Sequence, residues 1–150
     1  MIRLKELFKK EYVKIGAIIA SIFFLSLSQA LIAQNPIMRF PDVSESTIVF
    51  SCGEDLWTVP IEGGVATKIT FNDGQESHPE FSPDGKLIAF TGQYDGNSDV
   101  FVMNKYGGDI KRVTYHPGRD EVIGWHPEKN KIMFTSSRNS TTRYTKMFLI

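Results

Sequence analysis

One cysteine in 150 residues, Cys52, leaves no internal disulfide to be made. Flanked by Phe50 and Leu56, it reads as a small buried apolar residue. Basic runs are scarce as well: Lys and Arg total 17 against 17 Asp and Glu, and the local excess of cations is confined to the first residues. Nucleic acid is thereby excluded as a partner, because counterion release needs a clustered cationic face. Beyond Phe40 there is no apolar stripe of 3.6-residue period long enough for a helix. The chain also lacks a Gly-x-Ser-x-Gly elbow, a phosphate-cradling loop and a Cys-x-x-Cys pair, so these residues offer no activated nucleophile of those kinds.

What is present begins with an export signal. Arg3, Lys5, Lys9, Lys10 and Lys14 stand against Glu6 and Glu11, and Ile15 to Leu27 carries no charge. Small residues suit cleavage after Ala30 or after Ala33, the second being preferred, which makes residues 1 to 33 a signal peptide. An uncleaved anchor is the alternative, since Ile15 to Ala33 is 19 residues long, close to the ~20 that cross a bilayer. Either way the remainder is exported, periplasmic or extracellular, and meets a membrane only through this segment. Removing five basic and two acidic residues from the 17 of each leaves 12 and 15, a net charge of −3 over residues 34 to 150.

Short β-rich runs bounded by Gly, Pro, Asn or Asp fill the rest. They are Thr47 to Ser51, Asp55 to Val59, Ala66 to Thr70, Leu87 to Gly92, Asp99 to Met103, Lys111 to Thr114 and Lys131 to Ser136. Self-comparison is more telling. "DLWTVPIEGGVATKIT", starting at Asp55, lies without a gap over "DVFVMNKYGGDIKRVT", starting at Asp99, at an offset of 44. "FSPDGKLIAF", ending at Phe90, is echoed by "WHPEKNKIMF", ending at Phe134, and more loosely by "FPDVSESTIVF", ending at Phe50. Several short strands per repeat of ~40 to 45 residues specify a propeller. Pro83-Asp84-Gly85 supplies a tight reversal: Pro presets φ, Asp bonds the backbone beyond it, and Gly takes a positive φ. After that turn Ile88 and Phe90 share one face and Leu87 and Ala89 the other, as suits a sheet held between two sheets.

The fold class is therefore all-β: two blades and the start of a third, with "KMFLI" stopping inside a strand. Propellers close with at least ~4 blades, so residues 34 to 150 read as the N-terminal portion of a longer propeller, and poor solubility is expected of that portion alone.

Chemistry-bearing residues are few. His78, His116 and His126 each precede Pro and fall on different blades, which favours local hydrogen bonds over a shared metal. Asp95 to Asp99 mimics the opening of a calcium loop, but Val100 takes the place of the required Gly and Tyr106 that of the closing Glu, so it reads as a turn. Ser136-Ser137 beside Arg138 lacks an activating base, and Asn139-Ser140-Thr141 is a glycosylation sequon of the kind that arises by chance. Asp73, Glu76, Glu80, Asp120 and Glu121 fall in or near inter-strand loops, where solvated charge is preferred to a channel lining. No catalytic, cofactor-binding or metal-binding residue is assigned.

The blade pattern "HPEFSPDGKLIAF" followed by "SDVFVMNKYGGDIKRVT" resembles the propellers of the Tol-Pal system, of prolyl-oligopeptidase-type peptidases and of tricorn proteases. Three segments favour tricorn: "TIVFSCGEDLWTVPIEGG" is similar to that family's first blade, "IMRFPDVSESTIVF" follows the export signal directly, and "RVTYHPGRDEVIGWHPEKNKIMFTSSR" resembles its second-to-third blade junction. The resemblance implies an exported serine peptidase acting on peptides or proteins. Its N-terminal propellers would govern peptide passage, while its catalytic Ser and His and a PDZ-like module would lie downstream. It also implies a homo-oligomer. A non-catalytic periplasmic binding propeller and a prolyl-oligopeptidase-like enzyme are the alternatives, since one architecture hosts all three.

Overall fold

A computed structural model describes residues 37–140 and 144–150, which leaves the expected signal segment outside the described residues. Three antiparallel sheets follow one another along the chain. The first has the order β1 (Met38–Ser44), β2 (Thr47–Cys52), β3 (Asp55–Pro60), β4 (Thr67–Lys68). The second repeats it with β5 (Gln75–Phe81), β6 (Leu87–Gln93), β7 (Asp99–Asn104) and β8 (Lys111–Arg112). The third comprises β9 (Asp120–Trp125), β10 (Ile132–Ser136) and β11 (Lys146–Leu149). The described residues are thus all-β, two propeller blades and the start of a third.

The repeat seen in sequence is physical. Phe50, Phe90 and Phe134 occupy one register position, opposite Trp57, Phe101 and Phe148 on the neighbouring strand. The 44-residue offset carries hydrogen bonds with it: Leu56 N–H donates to Thr70 Oγ1 at 2.8 Å and Val100 N–H to Thr114 Oγ1 at 2.9 Å. In the turn before β6, Gly85 N–H closes on Ser82 O at 2.8 Å, Lys86 N–H reaches Asp84 Oδ1 at 3.2 Å, and Gly85 takes φ 65°. The alternation holds as well: Ile88 and Phe90 join an apolar cluster with Val49, Leu56 and Phe101, while Ala89 joins a second with Val100, Val122, Ile132 and Phe134. Ile88, Ala89 and Phe90 are all fully buried. Each of the larger side chains stabilises the fold by about 1.5–3 kcal/mol through burial alone.

Sequence patterning missed the first strand of each sheet. β1, β5 and β9 do not alternate simply, because each is interrupted by a register shift: between Arg39 and Asp42, between Ser77 and Glu80, and opposite Met133 and Phe134. Pro41 and Pro79 sit in the first two of these bulges, where a strand tolerates a missing N–H. The sheets converge on these strands, with β5 packed against both β1 and β9, and spread apart toward β4 and β8.

Candidate functional site

The convergence of β1, β5 and β9 gathers charged side chains from three blades. Phe40 and His78 hold equivalent bulge positions and both take a positive φ, 51° and 52°, unusual for residues with a Cβ. Their rings lie 3.8 Å apart between centroids. His78 Nε2 stands 3.0 Å from Glu121 Oε1 on β9, and Nδ1 lies 3.2 Å from Ser77 Oγ. A neutral ring with the proton on Nε2 satisfies both neighbours, donating to Glu121 and accepting from the Ser77 hydroxyl. Burial lowers the imidazole pKa, the Glu121 charge opposes that shift, and Arg119, itself 3.1 Å from Glu121, adds to it. One imidazole thus ties three blades together.

Further along the same strands, Asp42 and Glu80 face a hollow of about 610 Å³ that also takes in Phe81, Ile123, Trp125 and Met133. Asp42 Oδ2 accepts the Phe81 N–H at 2.7 Å, and Trp125 Nε1–H donates to Glu80 O at 2.9 Å, so both bonds cross between blades. Burial, followed by the nearby Asp42 charge, pushes the Glu80 carboxyl up to about 7. Neither carboxylate has a cationic partner among the described residues.

At the opposite end of β5, Glu76 is 1% exposed. Its oxygens accept Thr70 Oγ1–H at 2.9 Å and Tyr94 O–H at 2.8 Å. Burial raises its pKa against the pull of those two bonds, and burial together with the Glu76 contact raises that of Tyr94. Asp120 holds the equivalent place on β9, fully buried, and pairs through Oδ2 with Arg138. These two acids correct the expectation of solvated loop charge: they lie on strands inside the blade junctions. Glu80 and Glu121 are half-buried on the same strands, while Asp73 remains in an exposed loop.

His116 and His126 behave as local turn residues, accepting the N–H of Gly118 at 2.9 Å and of Glu128 at 3.2 Å. The calcium-loop mimic is a turn whose Asp95 and Asp99 both bind Arg112, at 3.3 and 2.6 Å. Ser136 accepts from Arg138 at 3.0 Å and is fully buried. Sequence reasoning passed over Phe40, Asp42 and the bridging role of His78. The Phe-Pro and His-Pro pairs followed by an acidic residue, at 40 to 42 and 78 to 80, were the available signal.

Comparison with known proteins agrees with this architecture. The family described as the tricorn protease N-terminal beta propeller domain matches residues 35–150. The tricorn protease of Thermoplasma acidophilum is 30% identical over 120 residues, covering 73% of this chain and 11% of that protein. A crystal structure of the tricorn protease superposes with a TM-score of 0.68 at 25% identity, over 78% of this chain and 12% of that one. A TolB-type structure from Agrobacterium tumefaciens gives 0.65 at 21% identity, over 79% of this chain and 47% of its own, a likeness of fold. The chain spans only about a tenth of the tricorn proteases it matches.

Proposed function

Because the chain belongs to the family of tricorn protease N-terminal beta propeller domains, we propose that it is the propeller portion of an exported serine peptidase, non-catalytic itself, which controls the passage of peptides. The carrying observation is the convergence of β1, β5 and β9, with Asp42, His78, Glu80 and Glu121 on the strands that meet there. A passage for extended peptides needs polar walls that do not collapse. Polar side chains on strands tied by cross-blade bonds meet that need without offering an activated nucleophile. On this reading the parent protein takes unfolded peptides or proteins as substrates, acts as a homo-oligomer, and reaches the periplasm or the cell exterior through residues 1 to 33.

The full-length protein tests the reading. Peptide hydrolysis that is abolished by a serine-directed phosphonate, recovered from the exported fraction of cells, is the expected result. A full-length protein that binds envelope proteins without hydrolysing any peptide would overturn it in favour of a binding propeller of the TolB kind.

A further inference from the structure

The two blade junctions follow one plan, and the first departs from it in a way that opens a pocket. Register sets Arg39 opposite Ser51, Ser77 opposite Thr91 and Glu121 opposite Thr135, so Ser51 and Thr91 hold the same place in successive blades. Thr91 Oγ1 accepts the Val122 N–H of the next blade at 2.9 Å. The counterpart of Val122 in the preceding blade is His78, whose backbone has turned to φ 52°. Ser51 Oγ has no hydrogen-bond partner among the described residues, although Ser51 is only 8% exposed. Nearby, Glu76 is drawn toward Thr70 and Tyr94. A hollow of about 270 Å³ is left, lined by Ile37, Arg39, Phe40, Ser51, Gln75 and Glu76 among others.

We propose that this hollow binds a small monocarboxylate, gripped by the Arg39 guanidinium and the Ser51 hydroxyl. Arg39 forms no ion pair among the described residues, and its planar fork matches the two oxygens of a carboxylate. A turn of Ser51 about χ1 directs its unpaired hydroxyl to the same ligand. Phe40 and Ile37 give the carbon end an apolar wall. The buried Glu76 selects for charge: its oxygens already accept two bonds, and its proximity penalises a dianion such as phosphate more than a single carboxylate. The site does not depend on the peptidase reading, since it requires only the first two blades.

Calorimetric titration of the full-length protein with N-acetyl-L-alanine, its carboxamide, N-acetyl-L-aspartic acid α-amide and inorganic phosphate tests the proposal. Free carboxylates are expected to bind saturably, with the carboxamide and phosphate weaker by about tenfold or more. Preference for the alanine or the aspartate probe identifies a chain terminus or a side chain as the source, and either supports the site. Arg39→Gln should lose about tenfold in affinity, Arg39→Lys less, and Ser51→Ala a few-fold, with the unliganded melting temperature no lower than wild type. Arg39 is exposed and forms no ion pair among the described residues, so its variants are expected to fold. Equal binding of acid and carboxamide, wild-type affinity in Arg39→Gln, or no saturable binding of any carboxylate would overturn the proposal.

Discussion

The junction between the first two blades and the junction between the second and third are built from the same repeat and closed by different chemistry. In both, a backbone N–H reaches back at 2.8 Å, from Glu76 to Glu54 O and from Asp120 to Ser98 O. In the first, Glu76 spans the gap to Thr70 of the preceding blade. In the second, the acid is one methylene shorter: Asp120 turns to Arg138, leaves Oδ1 without a partner among the described residues, and Thr114 donates instead to Asp99 of its own blade at 3.2 Å. The difference shows how a repeat diversifies. Apolar positions are kept because every blade must fill the space between sheets, while the polar positions near the convergence can change partners one at a time.

The comparison can be broken at four depths, each read by hydrogen exchange of the blade amides in the full-length protein. The largest effect is expected where the junctions agree. Phe90→Ala in the first and Phe134→Ala in the second should each cost about 3–5 kcal/mol, since both rings are essentially inaccessible. Next, Asp120→Ala should destabilise the second junction by about 3 kcal/mol, because it leaves Arg138 half-buried without its carboxylate. Glu76→Gln, which keeps an acceptor for Thr70 and Tyr94, should cost only about 1 kcal/mol. Costs of equal size for these two would erase the proposed distinction.

A pH series adds a third test. The Glu80 carboxyl titrates at about 7 in the folded protein, against 4.5 ordinarily. Between those values the folded state keeps a proton that the unfolded state releases, so stability falls as pH rises through that window and levels off above it. Glu80→Gln removes the loss. It should match wild type near pH 4 and exceed it near pH 8 by on the order of 1–2 kcal/mol after allowance for solvent screening. An advantage that does not grow with pH would show that the acid pair carries no strain. The smallest contrast is between hydroxyls: Thr91→Val should cost about 1 kcal/mol by stranding the Val122 N–H, whereas Ser51→Ala should cost about nothing.

The outer strands of each blade were legible in sequence because their rules are local. Asp55 to Val59 and Asp99 to Met103 alternate between two faces, Pro83-Asp84-Gly85 makes its turn alone, and an offset of 44 superposes them. The innermost strands were not, for a physical reason. A bulge breaks the two-residue period, Pro41 and Pro79 read as turn formers, and Glu76 and Asp120 read as solvent residues until their partners are supplied, Thr70 from the preceding blade and Arg138 from beyond the next strand of the same sheet. Thr70 is only six residues from Glu76 but belongs to the preceding blade, and Glu121 is 43 residues from His78; both pairings are set by how sheets stack, which the spacing of residues along the chain does not encode. The candidate lining was therefore the least readable part of the chain.

One measurement bears most directly on that lining. Ile123 is 40% exposed and borders the hollow shared by Asp42 and Glu80. In the full-length protein, with Cys52 and every other maleimide-reactive cysteine replaced by Ser, Ile123→Cys can be labelled with a bulky maleimide and the hydrolysis of a tetrapeptide compared with that of a long unstructured peptide. If the converging strands border the substrate path, the label slows the long peptide several-fold and leaves the tetrapeptide unchanged. Equal rates before and after labelling, or equal slowing of both peptides, would contradict the account.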